Sequence, residues 1–154
     1  MKSKKQSAAS YKSKPHSSLV LFLDRSLGKH VVATALRQAG AHVEIHDDHF
    51  ASDARDEDWL KDVGRRGWAV LTKDRRIRYR APELAALRKA RVRTFVLTAG
   101  DLQGTEMATI FTKALPAINR FAARNPPPFI ATITKAGSVS MLYKELRPSR
   151  KLRD

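Results

Sequence analysis

Acidic side chains follow two apolar runs of this 154-residue chain, close to where each run ends. Asp24 comes directly after residues 19–23, and Asp74 comes shortly after residues 68–71. A third acidic group opens a helical pattern and consists of Asp56, Glu57 and Asp58. Carboxylates brought to one site repel one another unless a cation neutralises them, and a hard ion such as Mg²⁺ or Mn²⁺ takes oxygen ligands while keeping several waters. The acids therefore predict a metal centre that activates water and stabilises charge on a phosphodiester.

Each of these acids also has a simpler, structural explanation. Asp56 could cap its helix, and the two acids after it could be ordinary first-turn residues that the helix dipole favours. Asp101, which follows a later apolar run, is more typical of a turn or a cap than of catalysis. Asp24 and Asp74 are harder to explain in this way, because they stand at the ends of strands in the middle of a sheet. We therefore expect these two to be functional.

Basic residues surround the second acid and dominate the composition. The chain has 30 Lys and Arg against 15 Asp and Glu, which gives a net charge of +15 and predicts a polyanionic partner. Residues 1–18 hold five Lys and no acid, and charge in such a tail could also serve solubility alone. The side chains placed to grip nucleic-acid phosphates are Lys73, Arg75, Arg76 and Arg78, together with Arg25 beside the first acid.

Several other kinds of site are disfavoured. The chain has no cysteine, so a disulfide framework and a thiolate metal site are excluded. The segment 46–49 contains two His and two Asp, but neighbouring residues rarely form a closed zinc site, so zinc is a weak alternative, although Asp47 or Asp48 could still join the acidic group. No nucleophile elbow or glycine-rich phosphate loop occurs. No apolar run reaches the length of a signal peptide or membrane span, and we expect a cytoplasmic protein.

Apolar runs alternate with helical patterns along residues 19–123, which predicts an α/β fold with a parallel sheet. The strands are expected at 19–23, 42–45, 68–71 and 94–97, and the helices at 27–39, 56–67, 82–90 and 105–123. Residues 129–134 and 139–143 predict a short hairpin, either an antiparallel edge or a flap that binds a partner. Since ligands bind beyond the carboxyl ends of parallel strands, the acids should meet at one edge of the sheet.

The domain organisation follows from the same pattern. Residues 1–18 lack periodicity and predict a disordered basic arm. One folded domain is expected over residues 19–143, and residues 144–154 form a basic C-terminal tail.

Three stretches of the chain resemble the PIN-like superfamily, and within it the compact branch that includes VapC-type toxins. They read FLDRSLGKHVVATALRQAG, HDDHFASDARDEDWL and GWAVLTKDRRIRYRAPEL. The resemblance implies a three-layer sandwich with a mainly parallel central sheet flanked by helices. It also implies a Mg²⁺- or Mn²⁺-dependent endoribonuclease that acts on RNA and is neutralised by an antitoxin protein, with dimers common in the family. The metal ligands that it implies are Asp24, Asp56, Asp58 and Asp74.

One departure from the family pattern concerns the number of ligands. Many relatives have a second acid directly after the first, whereas Arg25 follows Asp24 here. The number of metal ions and the choice among Asp56, Glu57 and Asp58 therefore stay open. A non-catalytic nucleic-acid-binding module of the same fold is the main alternative, and a protein-interaction domain that docks an acidic partner is another.

Overall fold

The computed structural model describes residues 19–74 and 81–143. The predicted arm 1–18, the basic loop 75–80 and the tail 144–154 lie outside these ranges. In chain order the elements are β1 Val20–Leu23, α1 Val31–Gln38, β2 His42–Ile45, α2 Asp56–Arg66, β3 Ala69–Thr72, α3 Ala81–Ala90, β4 Arg93–Leu97, α4 Gly104–Arg124, β5 Phe129–Ile133 and β6 Val139–Tyr143. None of the helices in the described ranges is long and apolar enough to cross a membrane.

The strands form one mixed sheet in the order β2-β1-β3-β4-β5-β6. The first five run parallel, and β6 pairs antiparallel with β5 at the edge. The chain passes from β1 to β2 on one side and then crosses to β3 on the other, so the strand order reverses around β1. Such a switch point leaves a crevice at the carboxyl ends of the strands, where ligands bind in open α/β sheets. The crevice here opens beyond β1 and β3.

The residues of β1 show how the sheet divides the core into two layers. Leu21 and Leu23 point to one face and pack with α1 and α4, whereas Phe22 points to the other and packs with α2 and α3. All three side chains are essentially inaccessible to solvent, as expected of a central strand covered on both faces. Helices therefore cover the sheet on both sides, which is the expected three-layer α/β sandwich.

The four predicted parallel strands are confirmed, with differences of one residue at their ends. The predicted start of the first helix at Leu27 is wrong. Residues 25–27 form a 3-10 turn, Gly28 follows with a φ of 80°, and α1 begins only at Val31. The φ value lies where glycine alone is unstrained, so the chain turns there before it becomes α-helical.

The predicted C-terminal hairpin forms, but its first strand also pairs with β4, which was not predicted. β5 pairs in parallel with β4 and becomes the fifth parallel strand of the sheet. β6 then closes the sheet antiparallel, which matches the edge alternative rather than a separate flap.

Candidate active site

Asp24 directly follows β1 and is held by two neighbouring strand ends. It caps the 3-10 turn, accepting at Oδ1 from the backbone N–H of Ser26 at 2.9 Å, and the Ser26 hydroxyl donates to the same oxygen. Oδ2 accepts from the hydroxyl of Thr72, the last residue of β3, at 2.5 Å. The Asp24 carboxylate is therefore fixed by hydrogen bonds from both sides of the crevice.

The same two hydroxyls also fix the segment that follows β3. Ser26 Oγ accepts from the backbone N–H of Lys73 at 3.1 Å, and Thr72 Oγ1 accepts from the backbone N–H of Asp74 at 2.9 Å. Each hydroxyl thus donates to Asp24 and accepts from the backbone beside Asp74. This arrangement brings the two predicted acids to one place.

Burial dominates the electrostatics of Asp24, which is only 9% exposed. Desolvation raises its pKa to about 6, although the hydrogen bonds from Ser26 and Thr72 lower it, and the nearby charge of Asp74 raises it further. The two carboxylates are therefore close enough to repel each other. A carboxyl group with a near-neutral pKa in a crevice is typical of functional sites.

The acids at the start of α2 have other contacts. Asp56 accepts at Oδ1 from the indole N–H of Trp59 at 3.0 Å, and Glu57 accepts from Arg55 at 3.1 Å. Arg55 occupies the N-cap position without a capping side-chain hydrogen bond, so the alternative that Asp56 caps the helix is wrong. Asp56, Glu57 and Asp58 are all exposed in the first turn.

The structure thus gathers two of the four predicted ligands. Within residues 19–74 and 81–143, no group of three or more His, Asp or Glu side chains is arranged to hold a metal ion. Asp24 and Asp74 nevertheless offer the hard oxygen donors that Mg²⁺ and Mn²⁺ prefer, and an ion that keeps most of its waters needs only one or two carboxylates. A cation between them would also relieve their repulsion, so the pair fits such an ion.

The other predicted residues have varied positions. Arg25 points away from Asp24, with Nε 3.3 Å from Asp47 and Nη1 donating to the Ser52 carbonyl at 3.2 Å. Asp47 therefore pairs with a cation instead of joining the acidic group. Lys73 is anchored through its backbone. The remaining predicted RNA-binding residues, Arg75, Arg76 and Arg78, lie outside the described residues.

Two further alternatives are decided by local contacts. His46 is buried among the rings of Phe22, Phe50 and Trp59, which is the environment of a core histidine rather than of a zinc ligand. Asp101 is exposed in a turn with a φ of 48°, while a capping box between Gln103 and Glu106 starts α4, so the cap alternative for Asp101 is wrong.

Sequence reasoning missed the two hydroxyl residues of the site. Ser26 lies two residues after Asp24, and Thr72 lies two residues before Asp74. A hydroxyl residue two positions from each acid was the only sequence feature that could have pointed to them.

Two buried threonines on adjacent strands allow a matched test of the network. Thr72 bonds both Asp24 and the Asp74 backbone, whereas the hydroxyl of Thr94 on β4 finds no hydrogen-bond partner among the described residues. We expect Thr72→Val to lower the free energy of unfolding by about 1–3 kcal/mol, because it leaves buried polar groups unpaired. Thr94→Val should be neutral or stabilising. Equal losses in urea denaturation of the two variants would contradict the network.

The raised pKa of Asp24 predicts a pH-dependent stability difference. The folded-state pKa of about 6 exceeds the ordinary 3.8, so the folded protein favours the protonated form, and ionisation costs stability as the pH rises through this window. In chelator, Asp24→Asn should exceed the wild type in unfolding free energy by up to about 3 kcal/mol above pH 7. The gap should shrink toward about pH 4.

The exposed Asp101→Asn serves as the control for this measurement and should show no such pH dependence. A gap between Asp24→Asn and the wild type that stays constant across the pH range would exclude a buried, pKa-shifted carboxyl group.

Comparisons with known proteins agree with this architecture. Residues 19–99 match the family model described as "PIN like domain". Over 126 residues the chain is 32% identical to "Putative ribonuclease VapC45" of Mycobacterium tuberculosis, an alignment that covers 79% of this chain and 91% of that protein. No solved structure matches the chain significantly. The matched region contains β1, β3 and both acids of the crevice, and the chain belongs to the PIN-like domain family, in the branch that includes the VapC proteins.

Proposed function

We propose that this protein is a metal-dependent endoribonuclease and the toxin of a type II toxin–antitoxin pair. The observation that carries the proposal is the buried Asp24 carboxylate, with its pKa raised to about 6, beside Asp74 in the crevice beyond β1 and β3. The printed name of the mycobacterial relative, a ribonuclease, supports the same chemistry.

In this proposal Asp24 and Asp74 would hold Mg²⁺ or Mn²⁺, and Asp56 and Asp58 would complete the ligand set from the start of α2. Such an ion would supply an activated water and neutralise charge on the phosphodiester. Ser26 and Thr72 keep the Asp24 carboxylate in a fixed orientation, since both of its oxygens are hydrogen-bonded. The pair is thereby organised before substrate arrives, which reduces the reorganisation needed for catalysis.

In this proposal, basic residues close in the sequence to Asp24 and Asp74 position the RNA strand. Their role is to contact phosphates on either side of the cleaved bond, which holds the strand in register without reading its sequence. This set consists of Lys73, Arg75, Arg76 and Arg78, together with Arg25. The overall charge of +15 favours rapid association with RNA and makes binding sensitive to salt.

The partners in this proposal are an antitoxin protein that neutralises the nuclease and a second copy of the chain in a homodimer, all in the cytoplasm. The neighbouring gene tests the pairing. Expression of this chain should arrest the growth of a bacterial host, and co-expression of a small adjacent reading frame should restore it.

RNA cleavage is the direct test of the activity. Purified protein should cleave single-stranded RNA in the presence of Mn²⁺, and Asp24→Asn should lower the rate by about 100-fold or more, because it removes a charged ligand. Asp101→Asn, an exposed substitution at the same edge of the sheet, should leave the rate unchanged. Cleavage that persists at the wild-type rate in Asp24→Asn, or in excess chelator, would refute the mechanism.

The alternative function is a non-catalytic nucleic-acid-binding module. It is favoured by the finding that only two of the four predicted ligands come together within the described ranges. Metal binding separates the two functions. With Mn²⁺ at about 100 times its dissociation constant, the catalytic protein should gain roughly 5–10 °C in thermal midpoint. Asp24→Asn should gain nothing. A wild type that binds RNA, but shows neither a thermal shift with Mn²⁺ nor cleavage, would favour the binding module over the nuclease.

A further inference from the structure

A surface pocket of about 160 Å³ opens at the carboxyl ends of β1 and β2, next to the Asp24 crevice. We call it the Asp47 pocket. Its lining residues are Arg25, Gly28, Lys29, Ile45, His46 and Asp47. Because Arg25 directly follows Asp24, the pocket lies one residue along the chain from the proposed metal ligand.

The pocket presents a fixed carboxylate between two cations. Asp47 Oδ1 lies 3.3 Å from Arg25 Nε, and Asp47 Oδ2 lies 3.3 Å from Lys29 Nζ. The hydrogen bond from Lys29 and the charges of both cations hold the pKa of Asp47 below its usual range. Asp47 is therefore an ionised acceptor at neutral pH. Both cationic side chains are more than half exposed and can also reach a ligand.

Two buried polar atoms in this pocket find no hydrogen-bond partner among the described residues. They are Asp47 Oδ1 and His46 Nδ1, which lie 3.6 Å apart. His46 is only 3% exposed, and burial lowers its pKa, so its ring is neutral at neutral pH. Buried polar atoms are almost always satisfied in proteins. Among the described residues, Asp47 Oδ1 is held only by its ion pair with Arg25, and His46 Nδ1 only by its 3.6 Å contact with Asp47. Neither atom has a well-formed hydrogen bond, and donors from a ligand would complete both.

The size and charge of the pocket indicate what such a ligand is. A cavity of roughly 150 Å³ admits one aromatic ring, so this surface pocket has room for the six-membered ring of a base, which carries the Watson–Crick edge. A phosphate fits the charge poorly, since Asp47 offsets one of the two cations and would repel it. The pocket instead combines an acceptor with flanking donors, as the edge of a nucleobase requires.

Among the four bases of RNA, guanine matches this pattern best. Its N1–H and N2 amino groups are adjacent donors suited to Asp47, and its O6 and N7 atoms are acceptors that Arg or Lys side chains recognise. Adenine and cytosine offer only an amino donor on the same edge, and uracil offers a single N–H. Proteins commonly read single-stranded RNA through such base edges.

We propose that the Asp47 pocket binds a guanine base of single-stranded RNA, an inference that rests on the proposed ribonuclease function. Asp47 accepts hydrogen bonds from the guanine donors, and Lys29 and Arg25 donate to its acceptors. The protein then selects RNA segments that place a guanine beside the cleaved bond.

Calorimetric titration with nucleoside monophosphates tests the pocket without any cleavage. Since a good pair of base contacts discriminates strongly, guanosine monophosphate should bind roughly tenfold more tightly than the adenosine, cytidine and uridine monophosphates. Inosine monophosphate, which lacks the N2 amino group, should bind more weakly than guanosine monophosphate. The phosphate is common to all five probes, so the comparison isolates the base.

Two variants and their controls assign the preference to the pocket. Asp47→Asn should abolish the guanine preference, whereas Glu44→Gln, which removes an acid that pairs with His49 outside the pocket, should keep it. Lys29→Gln, at a largely exposed position that tolerates substitution, should also weaken the preference, and Lys61→Gln on α2 should not. Equal affinity for all bases, or a guanine preference that survives Asp47→Asn, would overturn the inference.

Cleavage of short RNAs that differ only at one base next to the cut separates this inference from the proposed function. Cleavage without any base preference would overturn the guanine pocket and leave the ribonuclease in place. A guanine preference in binding without any cleavage would support the pocket and overturn the ribonuclease.

Discussion

A carboxylate buried at the end of the central strand is the constraint on which the rest of the structure depends. Asp24 cannot withdraw to solvent, because the residues before it lie in the middle of the sheet with helices on both faces. Its ionised form therefore needs donors nearby, and the fold supplies them from Ser26 and Thr72. This requirement explains why β1 must end in a tight 3-10 turn and why β3 must lie beside it. These hydrogen bonds offset only part of the free-energy cost of burying the ionised carboxylate. Packing of the hydrophobic core has to compensate for the rest.

The strand order turns that local constraint into a site. Because β1 lies between β2 and β3, its carboxyl end faces loops from both directions of the chain. The β3 side brings Lys73 and Asp74, and the β2 side brings the Asp47 pocket. In the proposed function these two sides have different roles: the acid pair hydrolyses the phosphodiester, and the Asp47 pocket binds a base.

The sequence allows the strands and the acids to be predicted because both signals are local. Continuous apolar runs such as residues 19–23 require burial on both faces, and an acid at the end of such a run has few structural explanations. The start of α1 could not be predicted. Leu27 has the spacing of a helical residue, but residues 25–27 form a 3-10 turn that the Asp24 side chain caps. Ser26 and Thr72 could not be assigned either, because their meeting depends on the pairing of β1 with β3. The local sequence pattern thus identifies the acidic residues, whereas the pairing of β1 with β3 determines which side chains form hydrogen bonds with them.

The residue after Asp24 shows how one charge reversal can redistribute function at such a site. An acid that took the direction of the Arg25 side chain would face Asp47, and the two carboxylates would repel each other. Arg25 instead pairs with Asp47 and, through Ser52, ties the loop after β2 to the turn after β1. The chain therefore gives up a possible metal ligand and gains an ordered pocket wall. In the proposed function, fewer carboxylates weaken the hold on the metal ion, while a fixed pocket adds contacts to RNA. Substrate binding can then compensate for the smaller ligand set, because binding energy from a neighbouring base helps to hold the reacting phosphate in place.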